Sequence, residues 1–122
     1  MANDFKRFVK KDIGTGEGAS GSTVYTVPSS SSTAMESIVI GITIANKSTA
    51  GITCDVFLDA LGGASDDVYV VKDASIPAGS SLEVMAGNKL VVQNSGSAGD
   101  VIRVSAGTAS ACDATISVLE DV

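Results

Sequence analysis

The sequence predicts an all-β fold: a single β-sandwich of about eight strands, Ig-like or jelly-roll-like, with a basic and apolar N-terminal arm. Three observations carry this. Apolar residues alternate with period two through most of the chain after residue 21, and no stretch there sustains a 3.6-residue period. β-Branched residues dominate the alternating runs, as strands prefer. Glycine, proline, serine and asparagine punctuate the chain at the spacing of short strands. With 122 residues, 44% of them hydrophobic, the chain is one ordinary domain able to bury a core.

Residues 1–13 set Phe5, Phe8, Val9 and Ile13 among Lys6, Arg7, Lys10 and Lys11. The spacing of Phe5, Phe8 and Val9 fits one helical turn, and equally an extended arm draped over a neighbour. Residues 14–21 read as a glycine-rich hinge, so residues 1–21 are set apart as arm and hinge and residues 22–122 as the sandwich. Thr23-Val24-Tyr25-Thr26-Val27, ended by Pro28, is the first strand, and the serines of residues 29–33 form a loop. In residues 37–46 the alternation puts Ile38, Ile40, Ile42 and Ile44 on one face and Val39, Gly41, Thr43 and Ala45 on the other.

Residues 46–51 turn the chain. Ile52, Cys54, Val56 and Leu58 then share a face, with Thr53, Asp55 and Phe57 opposite. A connection over residues 61–66 leads to the short strand Val68-Tyr69-Val70-Val71-Lys72. Ile76-Pro77-Ala78-Gly79-Ser80 is a turn. Residues 82–85 and 89–93, joined through Ala86-Gly87-Asn88, read as a hairpin. Residues 94–99 are polar. Val101 and Arg103 then oppose Ile102 and Val104, and in the last strand Ala114, Ile116 and Val118 share a face.

Composition narrows the function. Net charge is −6, divided unevenly. Residues 1–11 hold four basic residues against one acid, net +3; the remainder holds four against thirteen, net −9. The body repels nucleic acid and anionic lipid, so neither is expected as a partner. No apolar run approaches the roughly 20 residues that cross a bilayer. The opening Met1-Ala2-Asn3-Asp4-Phe5-Lys6-Arg7 has no apolar core or cleavage site, so no signal peptide is expected. Histidine is absent, which removes the usual general base and the commonest metal ligand. Five aromatic residues, Phe5, Phe8, Tyr25, Phe57 and Tyr69, are too few for a stacking platform. Cys54 and Cys112 cannot complete a structural zinc site and read as two small buried side chains.

Four motifs formally suggest chemistry. Gly16-Glu17-Gly18-Ala19-Ser20-Gly21 matches the dinucleotide-binding pattern, but it lacks the preceding strand and following helix that would aim N–H groups at a pyrophosphate. Asn46-Lys47-Ser48 is a glycosylation sequon that, without a secretory signal, marks only a turn. Asp55, Asp59, Asp66 and Asp67 lack the rhythm of a calcium loop and read as a solvated face. The serines have no histidine partner. The chain is therefore expected to be no enzyme, with no catalytic, cofactor-binding or metal-binding residues. The candidate site is the arm: Phe5, Lys6, Arg7, Phe8, Val9, Lys10 and Lys11, a tether for an acidic, partly apolar surface.

Nearly the whole chain bears a family likeness. It is carried by Val24-Tyr25-Thr26-Val27-Pro28; by Ile40-Gly41-Ile42-Thr43-Ile44-Ala45-Asn46; and by Val70-Val71-Lys72-Asp73-Ala74-Ser75-Ile76-Pro77-Ala78-Gly79-Ser80-Ser81-Leu82. Gly99-Asp100-Val101-Ile102-Arg103-Val104, Ile116-Ser117-Val118-Leu119-Glu120 and the opening eleven residues extend it. These resemble a β-sandwich module common among virion proteins of tailed bacteriophages, including phages of marine cyanobacteria. The serine tract and the Gly16–Gly21 stretch are longer than in that module. The resemblance implies a virion structural protein, assembled in the host cytoplasm, with no catalytic residues. Its first implied role is a capsid decoration or cement protein, present in many copies or as a homo-oligomer, that binds the major capsid protein or other virion proteins and stabilises the head. A neck, collar or tail accessory ring is the second. A host-surface adhesion module is the third, with residues 29–33, 61–66 and 94–99 as its binding end.

Overall fold

The longest alternating run, Met35–Asn46 (β3), lies antiparallel to Cys112–Asp121 (β9) at the centre of the larger sheet in a computed structural model of the chain. The structure describes residues 3–29, 34–60, 67–85 and 89–121. Asn3–Lys10 (β1) flanks β9, while Ser81–Glu83 (β6) and Leu90–Asn94 (β7) flank β3. The second sheet runs in the order Ser22–Thr26 (β2), Val101–Ala106 (β8), Ile52–Asp59 (β4) and Val68–Ile76 (β5). Every strand pair is antiparallel. Among the described residues there are nine strands, one turn of 3-10 helix at Gly18–Ser20 and no α-helix. The all-β sandwich is thus the observed fold.

The sheets close on Ile42, Ile44, Val56, Ile102, Val104 and Ile116, all fully buried. Each contributes about 1.5–3 kcal/mol by leaving water. On β9, Cys112, Ala114, Ile116 and Val118 face inward, as their alternation predicts. Cys54 and Cys112 are both free and buried. Burial, then the neighbouring Cys112 and Asp55, pushes the Cys54 thiol up to about 11. Burial also raises Cys112. At about pH 8 Cys54 is expected to react with a thiol reagent at least ~100-fold more slowly in the native protein than in denaturant, and Cys112 to be slowed as well, because the thiolate is the nucleophile.

Strand β3 departs from simple alternation. Its partners on β9 step from Val39↔Val118 directly to Gly41↔Ser117, so Ile40 is an extra, bulged residue. A bulge reverses the parity of everything beyond it. Met35, Ser37 and Val39 face inward before it, Ile42 and Ile44 after it. The four isoleucines expected on one face are therefore split. Ile42 and Ile44 enter the core, while Ile38 and Ile40 emerge on the outer face.

The hairpin expected from residues 82–93 is not formed. β6 and β7 both pair antiparallel with β3, β6 opposite Thr43–Ala45 and β7 opposite Met35–Val39. They are two pieces of one interrupted edge strand. A 12-residue β3 exposes enough unpaired backbone to take both, and each gains more by completing that ladder than by pairing with the other.

Residues 3–10 form no helical turn and do not stand clear as an arm. They pair residue for residue with β9, from Asn3↔Asp121 to Lys10↔Ala114. Beyond them Asp12 takes φ 55 and the chain crosses to the second sheet. Ile13 is fully buried at the crossing, donating to the Cys112 carbonyl of β9 at 2.9 Å, and Ala106 N–H of β8 donates to the Gly14 carbonyl at 3.0 Å. Lys47 bridges Asp12 and Asp113 and pins this corner. The glycine-rich stretch packs on the second sheet, with Gly18 against Phe57 and Glu17 paired with Lys72 at 2.9 Å. Residue 21 is accordingly no structural boundary.

The remaining turns follow their local chemistry. Ser80 N–H donates to the Pro77 carbonyl, and Gly79 at φ 69 holds the third position of a type II turn. Asn46, nearly fully buried, accepts from Ser48 N–H and donates to the Ala50 and Ile76 carbonyls, so the sequon is a closed Asx turn. Most of the serine tract, the connection over residues 61–66 and the Ala86-Gly87-Asn88 turn lie outside the described residues.

Candidate interaction surface

The seven residues expected to form a tether fall on opposite sides of β1, because strand side chains alternate. Lys6 and Phe8 point toward the second sheet. The Phe8 ring meets Tyr25, with centroids 4.9 Å apart. Lys6 Nζ lies 3.0 Å from Glu120 Oε1. Phe5, Arg7 and Val9 project from the outer face, Lys10 ends the strand and Lys11 follows it, both exposed. Lys6 and Phe8 thus belong largely to the molecule's own packing, while Phe5, Arg7, Val9, Lys10 and Lys11 remain presented to solvent.

Glu120 is a site residue that sequence reasoning missed. It is 1% exposed between the sheets. Tyr25 donates to its Oε2 at 2.5 Å, and Ser37 Oγ lies 2.9 Å from the same hydroxyl. Among the described residues Oε1 meets only the Lys6 ammonium, an ion pair short of hydrogen-bond geometry. Burial, then the hydrogen bond to Glu120, holds the Tyr25 hydroxyl far above its ordinary value. The signal was present: Glu120 shares the parity of Ala114, Ile116 and Val118. A buried carboxylate with a half-exposed lysine partner fastens β1 to the sandwich.

Outside this cluster, the edge and outer face around β1 are open. Phe5 is 78% exposed and Val9 66%. Val9, Lys10 and Lys11, with Asp113, Ala114 and Thr115, line a cleft of about 260 Å³ at the end of β1. Among the described residues the far side of β1 carries no strand, so the backbone N–H and C=O groups along that side are open to pair.

The acidic residues singled out in sequence separate. Asp55 is only 5% exposed, which corrects its reading as part of a solvated face. It accepts from Asp73 N–H at 2.7 Å and from Ser105 Oγ at 3.2 Å. Its carboxylate, with those of Glu17 and Asp73, forms a group whose oxygens lie within 4.8 Å of one another. Lys72 Nζ stands among them, 2.9 Å from Glu17, 3.5 Å from Asp73 and 3.7 Å from Asp55. The group is a salt-bridged cluster that ties residues 14–21 to β4 and β5. Asp59 pairs with Arg103 at 3.0 Å, Asp67 accepts from Ala60 N–H at 2.8 Å, and Asp66 lies outside the described residues.

Burial opposes the charge on Asp55, but the Asp73 N–H, Glu17, Lys72 and Ser105 together hold its carboxyl below the usual range. A depressed folded value stabilises above the unfolded value of about 3.9 and is lost as pH falls below it. Asp55→Asn is therefore expected to lower stability at neutral pH and to flatten its decline below about pH 4, measured by urea melts across pH.

Comparison of the chain with protein-family models, with curated proteins and with solved structures gives no match in any of the three.

Proposed function

We propose that this chain is a structural protein of a tailed-phage particle, a decoration or cement protein that fastens to the capsid surface through the open edge of β1. The observation that carries the reading is the charge of that edge. Arg7, Lys10 and Lys11 stand exposed beside Val9, on a chain whose remaining residues carry net −9. An acidic, extended segment of the major capsid protein or another virion protein would add there as a further strand. Main-chain hydrogen bonds would give affinity and the basic side chains would select the partner. The same positive charges oppose pairing of two copies through this edge, since like charges across a strand pair repel. Many copies on one particle allow each contact to be weak. The likeness of the sequence to phage virion sandwiches supports the reading.

Quantitative staining of purified virions tests it. The expected result is a copy number close to that of the capsid subunits, whereas about a dozen copies or fewer would indicate a closed ring at neck or tail and defeat general coating of the head. The double variant Lys10→Glu/Lys11→Glu is expected to melt like the parent and to be lost from particles. Unchanged incorporation would refute attachment through this edge.

A further inference from the structure

Two adjacent rows read across the outer face of the five-stranded sheet. One is wholly apolar: Phe5, Leu119, Ile38 and Val91 stand in direct register on β1, β9, β3 and β7. Its ends are the most open, Phe5 at 78% exposed and Val91 at 55%. Ile40, thrown outward by the bulge, borders it. The next row runs Arg7, Ser117 and Gly41 on β1, β9 and β3. Glu83 on β6 stands opposite Thr43, one row further along, and its carboxylate leans back into the Arg7 row, with Oε1 3.4 Å from where a Cβ on Gly41 would stand. The second row thus has a cation at one end and an anion at the other. Among the described residues Arg7 has no ion-pair partner, and Glu83 is met by the Thr43 hydroxyl at 2.8 Å.

We propose that this face is where two copies of the chain pack on each other, about a two-fold axis parallel to the strands. Such an axis exchanges the two lateral edges of the sheet, so one patch meets itself reversed. Phe5 of one copy then lies over Val91 of the second, and Leu119 over Ile38. Arg7 of one copy lies over Glu83 of the second, and the contact occurs twice. Row for row, apolar meets apolar and cation meets anion.

The area is adequate. β3 is 12 residues long. The other strand positions hold 8 residues on β1, 10 on β9, and 3 and 5 on β6 and β7, so at ~3.4 Å per residue and ~4.8 Å per strand the face offers about 620 Å² per copy, within the ~600–1,000 Å² a side of a stable interface. Aligned sheets cross at about 30°, so the rows overlay best at their centres, where Leu119 and Ile38 stand. The paired particle leaves both β1 edges open on opposite sides. It would therefore carry two attachment edges and could bridge neighbouring capsid subunits.

Sedimentation velocity on the full chain, from about 1 to 100 μM, is the test; a dimer is expected across the upper part of that range. Val91→Arg, at an exposed position, is expected to weaken association at least ~100-fold while melting like the parent. Arg7→Glu and Glu83→Arg are each expected to weaken it about tenfold or more, and the double variant to recover most of the loss. A parent chain that stays monomeric at the top of the range, a dimer indifferent to Val91→Arg, or a double variant no stronger than the singles would each overturn the proposal. Self-association is read on pure protein, so its failure leaves attachment through Lys10 and Lys11 standing, and the converse holds equally.

Discussion

Ile42→Asp is expected to leave no folded protein, whereas Ile40→Asp, two residues away on the same strand, is expected to fold and melt near the parent. The two positions share parity in the sequence, and simple alternation would predict the same outcome for both. Ile42 is fully buried between the sheets, while Ile40 is 38% exposed on the outer face. An unpaired carboxylate at Ile42 costs several kcal/mol, and about 1.5–3 kcal/mol of apolar burial is lost with it. Those losses rival the entire stability of a domain, about 5–15 kcal/mol. At Ile40 the cost is that of a poor strand former at the surface, about 0.5–1 kcal/mol. Circular dichroism with thermal melts separates the cases. If the two variants behave alike, the bulge between Val39 and Gly41 is misplaced.

Deleting residues 1–11 is expected to destabilise the domain severely, by about 3–5 kcal/mol, the scale of truncating a buried aromatic or stripping the partner from a buried charge. A dispensable tether would be removed at no cost, and the sequence alone suggested that outcome. Strand β1 instead pairs along one edge of β9. Its removal takes Phe8 from Tyr25, takes Lys6 from the 1%-exposed Glu120, and opens the β9 backbone along eight register positions. Urea unfolding measures the loss. A truncated chain with the parent's midpoint would show that β1 is not part of the stable sheet. The result also bears on attachment, because a truncation that unfolds says nothing about what the edge binds. The charge reversals at Lys10 and Lys11 are therefore the cleaner probe.

How far the sequence could be read depended on whether a signal was local. Alternation in residues 112–120 placed Ala114, Ile116 and Val118 correctly, because a regular strand carries its facing in its own parity. The turn at Pro77–Ser80 was legible for the same reason: proline fixes its own φ and glycine accepts the positive φ at the third position. In β3 the parity changes at one unpaired residue, and no side chain announces it. The extra residue exists only relative to the register of β9, 79 positions later at Val39↔Val118. The hairpin of residues 82–93 failed similarly, since the competing partner, β3, was remote. Asp55 looked like one more surface acid until Glu17, Lys72 and Ser105, from three other segments, closed around it.

By itself, then, the sequence determined the strand-forming runs, the all-β class, the division of charge between the first eleven residues and the rest, and most inward faces. These are properties of neighbouring residues and of side-chain period. Only the tertiary structure decided that the basic leader is an edge strand, that two of its seven candidate residues point inward, and that Phe5, Leu119, Ile38 and Val91 align into one exposed row. Each of those facts is a register between segments far apart in the chain. Register is set by the joint fit of whole strands against a shared core, which no single segment encodes.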